Sequence, residues 1–424
     1  MNINSLKEII LEQYDLLKNQ DKGIERQVLN KIQAHVNSSH VIIISGIRRC
    51  GKSTLFRQII ERYYNIDACY YFNFEDERLI HFTVDDFNKL YEAFQDLFGQ
   101  RDVFFFDEIQ NVDQWEMFIR RMHDVGKKIY LTGSNASMLS REIGTRLTGR
   151  NIIVKLSPFS FVEYAKFKKI EIHKNSLLTI PGRVKVKKCF QDYLLQGGLP
   201  EYLKYNDKEI IKSLYNDILY RDIAARYEIK DIKSLRNLSY YLVNNITTGI
   251  SYNRLSKMLD TGSVNTVKKY IEYLENTFLF SFALKFDPSV RKQIMNQRKV
   301  YIADNGFAKL VSITIFENRG MLLENFVFNE LQRKYERCNY YKTKKNKEVD
   351  FYIIDDQSNQ LLIQVTESLQ NETTRKRETI SLFNAMEECH IETGLIITRD
   401  EEETIKGKEG IINVIPIYKW IDIL

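Results

Sequence analysis

Val41-Ile-Ile-Ile-Ser-Gly46-Ile-Arg-Arg-Cys-Gly51-Lys52-Ser53-Thr54 opens with four apolar residues, turns through two glycines and enters the helical pattern TLFRQIIERYY. The apolar run is short and reads as a strand buried on both faces. Gly46 to Ser53 fits the spacing GxxxxGK(S/T). Glycines let such a loop wrap phosphates while its backbone N–H groups point inward. The helix that follows adds partial positive charge at its N-terminus. The stretch therefore points to bound ATP. Lys52 would reach the β- and γ-phosphates, and Ser53 Oγ would hold Mg²⁺. Arg49 and Thr54 complete the expected nucleotide contacts. Arg48 is near as well, though its direction cannot be read from sequence. The plain alternative is a glycine-containing turn before a helix.

Working outward, similar apolar runs recur at 68–74, 102–106 and 128–132, with helical patterns at 52–64, 84–98 and 113–125 between them. This rhythm predicts an α/β fold with a parallel sheet and helices on both faces. The run Val103-Phe-Phe-Phe ends in Asp107-Glu108. Acids there emerge at the strand edge where α/β sheets bind ligands. Asp107 is expected in the Mg²⁺ shell and Glu108 on the attacking water. The alternative is a solvated strand end. The next strand ends in Gly133-Ser134-Asn135, where a polar residue can sense the γ-phosphate. Asn135 is favoured and Ser134 is close behind; the alternative is that Asn135 caps the next helix. Phosphoryl transfer also needs positive charge. Arg141, Arg146 and Arg150 follow, and Arg150 is the favoured arginine finger, in cis or on a neighbouring subunit.

Composition sets the frame. The chain has 424 residues, 44% hydrophobic and 28% charged, as in an ordinary globular protein. No apolar run approaches the ~20 residues of a membrane span. The N-terminus lacks a signal-peptide core. Five scattered cysteines fit a reducing compartment, so a cytoplasmic location is expected. No CxxC occurs and the histidines do not cluster, which argues against structural zinc. Lys and Arg exceed Asp and Glu, 62 against 56. That permits a polyanion partner without showing one.

Three blocks are expected: an ATPase core at 1–155, a helical segment at 156–290 and a mixed α/β segment at 291–424. Within the second, ISYNRLSKML (250–259) and NTVKKYIEYL (265–274) are amphipathic and joined by a glycine-containing turn. That is helix–turn–helix spacing, and Phe278–Phe286 would supply a β wing. Asn265, Lys268 and Lys269 would face outward and suit phosphate contacts. Two lysines on such a face are also ordinary solvated residues. The basic runs 183–188 and 342–347 carry the same two readings.

The ordered set GIRRCGKST, FNFEDERL, VFFFDEIQNV, YLTGSN, LSPFSFVEY, QGGLPEYL, KVYIADNGFAKL, GMLLENFVFNEL and KEVDFYI resembles an AAA+-type ATPase family of bacteria and archaea whose members carry a C-terminal domain of unknown function. The resemblance covers nearly the whole chain. It implies an ATPase core, a winged-helix region and a C-terminal fold similar to PD-(D/E)xK nucleases. Such a core would hold metal on Glu324, Asp350 and the residue at Gln364, with a lysine at position 366. Here Gln364 brings no charge and Thr366 supplies no cation. Lys376 and Glu378 are candidates to compensate; a fold that has lost cleavage is the alternative.

Three functions follow as expectations: a Mg²⁺-dependent ATPase coupled to nucleic acid or a partner, an ATP-regulated nuclease, and a nucleotide-gated interaction switch. DNA and a protein are both candidate partners, and an oligomer stands open.

Overall fold

A computed structural model of the chain describes residues 1–136, 147, 149–172, 177–259, 263–312 and 318–423. The chain divides into two compact units. The first spans Met1–Phe159 with Asn276–Phe278, and the second spans Ser160–Glu275 with Leu279–Leu424.

The first unit is built on five parallel strands: β1 (Val41–Ser45), β2 (Cys69–Asn73), β3 (Val103–Asp107), β4 (Lys128–Gly133) and β5 (Asn151–Lys155). Their order is β2-β3-β4-β1-β5. Every residue of β1 is buried, as its unbroken apolar run requires. Helix α1 (Ile3–Asn19) starts where the Asn2 side chain accepts the Asn4 N–H. It buries Leu6, Ile9, Ile10, Gln13, Tyr14 and Leu17, one stripe at helical spacing. Helices α2 (Lys52–Tyr63), α3 (Phe87–Phe98) and α4 (Trp115–Asp124) fill the connections between strands. The core between α1, α3, α4 and the sheet is aromatic. Tyr70 stacks on Phe94 at 4.6 Å, and Phe87 stacks on Phe118 at 4.6 Å.

The expected strands and helices of this unit are all present, and β5 is an addition. NIIVK (residues 151–155) is short, and its residues 151–153 are not buried. It gains its place by pairing along the full length of β1, from Val41↔Asn151 to Ser45↔Lys155.

The second unit holds two sheets. In the smaller one, β6 (Gly249–Ile250), β8 (Arg298–Ile302) and β7 (Phe280–Leu284) are antiparallel in that order. Helices α6 (Ile232–Asn244), α7 (Tyr252–Leu259) and α8 (Val264–Asn276) accompany it, after the longer α5 (Ile180–Gln196). The larger sheet runs β13-β14-β12-β11-β10-β9. Its strands are β9 (Asn339–Lys342), β10 (Glu348–Ile354), β11 (Gln360–Val365), β12 (Thr393–Thr398), β13 (Glu403–Gly407) and β14 (Gly410–Pro416). Helix α9 (Arg319–Lys334) precedes it, and α10 (Glu372–Cys389) crosses from β11 to the parallel β12. The hairpin β13–β14 was not read from sequence, because its first strand alternates too weakly and is mostly exposed. Among the described residues no helix is long and apolar enough to cross a membrane. All five cysteines are free thiols.

Candidate nucleotide site

Parallel strands bring their C-terminal ends to one edge, and the register lines up the relevant positions. Ser45 lies opposite Gly133, and Asn73 lies opposite Asp107. The phosphate-type loop leaves this edge at Gly46. A Cβ there would stand 2.1 Å from the Leu156 carbonyl oxygen, so only glycine fits against the end of β5. Gly51 caps α2 with φ 98°, a conformation open chiefly to glycine. Arg49 inside the loop has φ 62°, and Glu108 has φ 50°. Two non-glycine residues in left-handed backbone at one edge mark a locally strained site.

Lys52 is buried, with Nζ 3.2 Å from the Gly46 carbonyl and 3.1 Å from Glu108 Oε1. Burial pulls its pKa down most, but Glu108 by charge and hydrogen bond, together with Cys50 and Asp107, outweighs this and the pKa ends up raised. For Glu108, burial pushes upward, yet Lys52, Gln110 and Ser134 outweigh it and hold the carboxyl at about 2. Ser134 Oγ donates to Glu108 Oε2 at 3.0 Å, and the Gln110 amide donates to the same oxygen. Asp107 is the opposite case. Burial and then the neighbouring Glu108 raise its pKa, while hydrogen bonds with Ser53 and Thr132 pull it down. Ser53 and Asp107 thus face each other, a hydroxyl and a carboxylate joined by a hydrogen bond. A divalent cation takes such oxygen ligands, so the residues present fit Mg²⁺.

Thr132 is the residue that sequence reading missed. Its hydroxyl donates to Asp107 and accepts the Glu108 N–H at 2.9 Å. Its position on β4, beside the two acids of β3, was the available signal. Arg26 was missed as well. It is buried, donating to the Cys50 carbonyl at 2.9 Å and the Ser157 carbonyl at 2.6 Å. Nothing near it in sequence marks it. Arg48 turns to Glu75 at 2.7 Å, and Thr54 lies beside Gly23. Asn135 is fully buried, next to Ser134. Of the two sensor candidates, Ser134 is bonded to Glu108.

Arg150 corrects an expectation. Its carbonyl accepts the Val41 N–H at 2.9 Å, at the start of β1. It therefore sits at the opposite sheet edge, about 16 Å away for five strand residues. Its guanidinium pairs with Asp124 at 2.5 Å. It does not reach the loop of its own chain, so what remains is the structural pair with Asp124 or action on a neighbouring copy. Arg141 and Arg146 lie outside the described residues.

In the second unit, Asn265, Lys268 and Lys269 are exposed on α8. Lys268 Nζ lies 5.7 Å over the Tyr252 ring. The basic runs are partly tied down: Lys187 pairs with Asp400 at 2.7 Å, and Lys345 donates to Asn384 at 3.3 Å. Glu324, Asp350 and Gln364 do converge, from α9, β10 and β11, in a cleft of about 810 Å³. The Asp350 N–H donates to Gln364 Oε1 at 3.2 Å, and Gln364 Nε2 donates to Glu378 Oε2 at 2.6 Å. Glu378 therefore joins the cluster, whereas Lys376 is exposed and pairs with Glu372. Lys347, Arg377 and Arg399 line the cleft, while a further cation, Lys299 from β8, is buried against Glu324, Glu348 and Asp350 and was not considered in the sequence reading. Burial pulls Lys299 down, but Glu324, Asp350 and Glu348 raise it well above the usual lysine range. Burial and then Asp350 push Glu324 up.

An uncharacterized protein of Methanocaldococcus jannaschii, MJ1544, is 33% identical over 432 residues, covering 98% of this chain and 95% of that protein. The chain belongs to the same family. An uncharacterized protein of Haemophilus influenzae is 29% identical over 328 residues, covering 74% of this chain and 80% of its own length. An AAA domain matches residues 38–165. Two domains of unknown function, DUF8612 and DUF4143, match 187–315 and 319–420. The family thus joins a P-loop ATPase-like domain to two domains without assigned roles. Replication initiator DnaA bound to AMPPCP and single-stranded DNA is 16% identical with a TM-score of 0.26, covering 59% of this chain and 86% of that one. That score is too low to bear on function.

Proposed function

We propose that the protein is a Mg²⁺-dependent ATPase whose second unit couples nucleotide state to nucleic acid. The observation that carries this is the convergence of Lys52 and Ser53 with Asp107 and Glu108 across two buried strands. Lys52 binds the β- and γ-phosphates, and Ser53 and Asp107 would hold Mg²⁺, which would supply positive charge to the phosphate oxygens as the bond between the γ-phosphorus and the bridging oxygen breaks. Glu108 orients the water that attacks the γ-phosphorus, with ADP leaving. Thr132 keeps the two acids at their angle, and Ser134 and Asn135 stand where the γ-phosphate is sensed. Incoming phosphates compete with Glu108 for Lys52, which frees the carboxylate for water.

The nucleic-acid side of the reading rests on the second unit. The succession α6–β6–α7–α8–β7–β8, with three antiparallel strands and a short helix (Val290–Met295) between β7 and β8, supports a winged helix. Asn265, Lys268 and Lys269 on α8 suit phosphate contacts. ATP turnover tests the proposal, measured with and without Mg²⁺, duplex DNA, single-stranded DNA and RNA. A Lys52→Ala protein that hydrolyses ATP at the wild-type rate overturns it.

A second reading, a nucleotide-gated switch, is favoured by the Lys52–Glu108 pair itself. Phosphate binding must rearrange that pair whether or not chemistry follows. Tight ATP binding with no turnover under every polymer would select this reading.

A further inference from the structure

The cleft of the second unit has the carboxylates of a metal site and a lysine in their midst. Lys299 Nζ lies 2.8 Å from Glu324 Oε1, 3.0 Å from Glu348 Oε1 and 3.1 Å from Asp350 Oδ1. Its side chain is only 2% exposed. We propose that Lys299 is the resident cation of these three carboxylates: its buried ammonium fills the position that a divalent metal would need between Glu324, Glu348 and Asp350, and so closes the cluster to metal.

Several further oxygens around the cluster already have partners. Asp350 Oδ2 accepts the Val365 N–H at 3.0 Å. Tyr301 donates to Glu324 Oε1 at 2.9 Å. Glu378 is held by Gln364 and by Arg377. A magnesium-sized ion needs several oxygens at about 2.1 Å. With an ammonium in contact with the same oxygens, both cations cannot occupy the site, since like charges repel strongly at that separation in a buried setting.

Lys299 is also hard to displace. It lies on the central strand of its sheet, paired with Gly249 on one side and Ala283 on the other. An intramolecular cation held this way competes with free metal at high effective concentration. The fit test for a nuclease-type metal therefore fails on this chain's own residues. Position 366, where a nuclease-like core would supply its cation, is threonine bonded to the Ser368 carbonyl.

The experiment is Mn²⁺ binding to the full chain, without nucleotide, followed by the electron paramagnetic resonance of free Mn²⁺. Wild type and Asp350→Asn are expected to bind the same amount through the millimolar range. Lys299→Met and Lys299→Ala, checked for folding by circular dichroism, are expected to gain one bound Mn²⁺ per chain, lost again when Asp350→Asn is added. A wild-type Mn²⁺ site removed by Asp350→Asn would overturn the proposal, because Lys299 would then share the cleft with metal as a catalytic lysine. A folded Lys299→Met protein that gains no Mn²⁺ would overturn it equally. If neither lysine variant folds, the comparison of wild type with Asp350→Asn still decides.

Discussion

Lys52 Nζ stands 3.1 Å from Glu108 Oε1, so the cation of the phosphate loop and the acid of the neighbouring strand are direct partners. Each stabilises the charged form of the other, and each is needed elsewhere when phosphate arrives. Replacing Glu108 with Gln removes only the charge. Expected is retained ATP binding with turnover lowered by about 10²- to 10⁴-fold, the usual scale for a general acid–base group. Lys52→Ala should lower both binding and turnover. Equilibrium nucleotide titration beside steady-state hydrolysis separates the two.

The pair also gives a pH signature. Glu108 is held at about 2 in the folded chain, against 4.5 for an ordinary glutamate. A depressed carboxyl contributes stability that is present above its unfolded value and is lost as pH falls through the folded one. Wild type should therefore melt above Glu108→Gln at neutral pH, by at most about 3 kcal/mol. The gap should narrow once pH drops below about 4.5. Thermal melts of both proteins from neutral to acid pH check this; a gap independent of pH contradicts it.

Thr132→Val removes one hydroxyl that serves two acids. It leaves the buried Glu108 N–H without its acceptor, a loss of about 1–3 kcal/mol. Turnover should fall by about 10- to 100-fold, because both acids lose their bearing. Thr132→Ser restores the hydroxyl and should recover most of the activity.

Arg150→Ala should change turnover less than about twofold in dilute protein, since its partner Asp124 is an exposed one worth ~1 kcal/mol or less. A large loss that appears only at high protein concentration would instead place Arg150 in the site of a neighbouring copy. Turnover against concentration, run beside light scattering, distinguishes the two.

Lys268→Ala combined with Lys269→Ala tests the winged-helix reading. If α8 lies on duplex DNA, the double variant should lower affinity for all sequences alike. It should also reduce the slope of log affinity against log salt by about 1.8, two contacts at about 0.9 each. An unchanged slope would mean that the lysines are solvated.

The first unit was largely legible because its strands are buried on both faces and show as unbroken apolar runs. Val103–Phe106 needs no partner to be read as a strand. β5 was missed for the opposite reason. NIIVK becomes a strand through its pairing with β1, a long-range fact that local pattern does not carry. The loop and the two acids were read from motif spacing, which encodes local backbone geometry. Thr132 and Arg26 act through neighbours far away in sequence, Asp107 in one case and Ser157 in the other. Gln364 and Asp350 were named from the family resemblance, and the register of β10 with β11 brings them side by side. Lys299 escaped because it comes from a different sheet, and no local pattern announces a lysine that turns inward.

The glycine at position 46 also ties the nucleotide loop to the exit of its unit. Its backbone rests against Leu156, and Arg26 clamps Ser157 to Cys50 within the loop. Residues 156–159 are the last of this unit before the chain departs at Ser160. The outgoing chain is thus fastened where phosphate binds. Gly46 and Arg26 make the loop and residues 156–157 one fastened piece of the first unit.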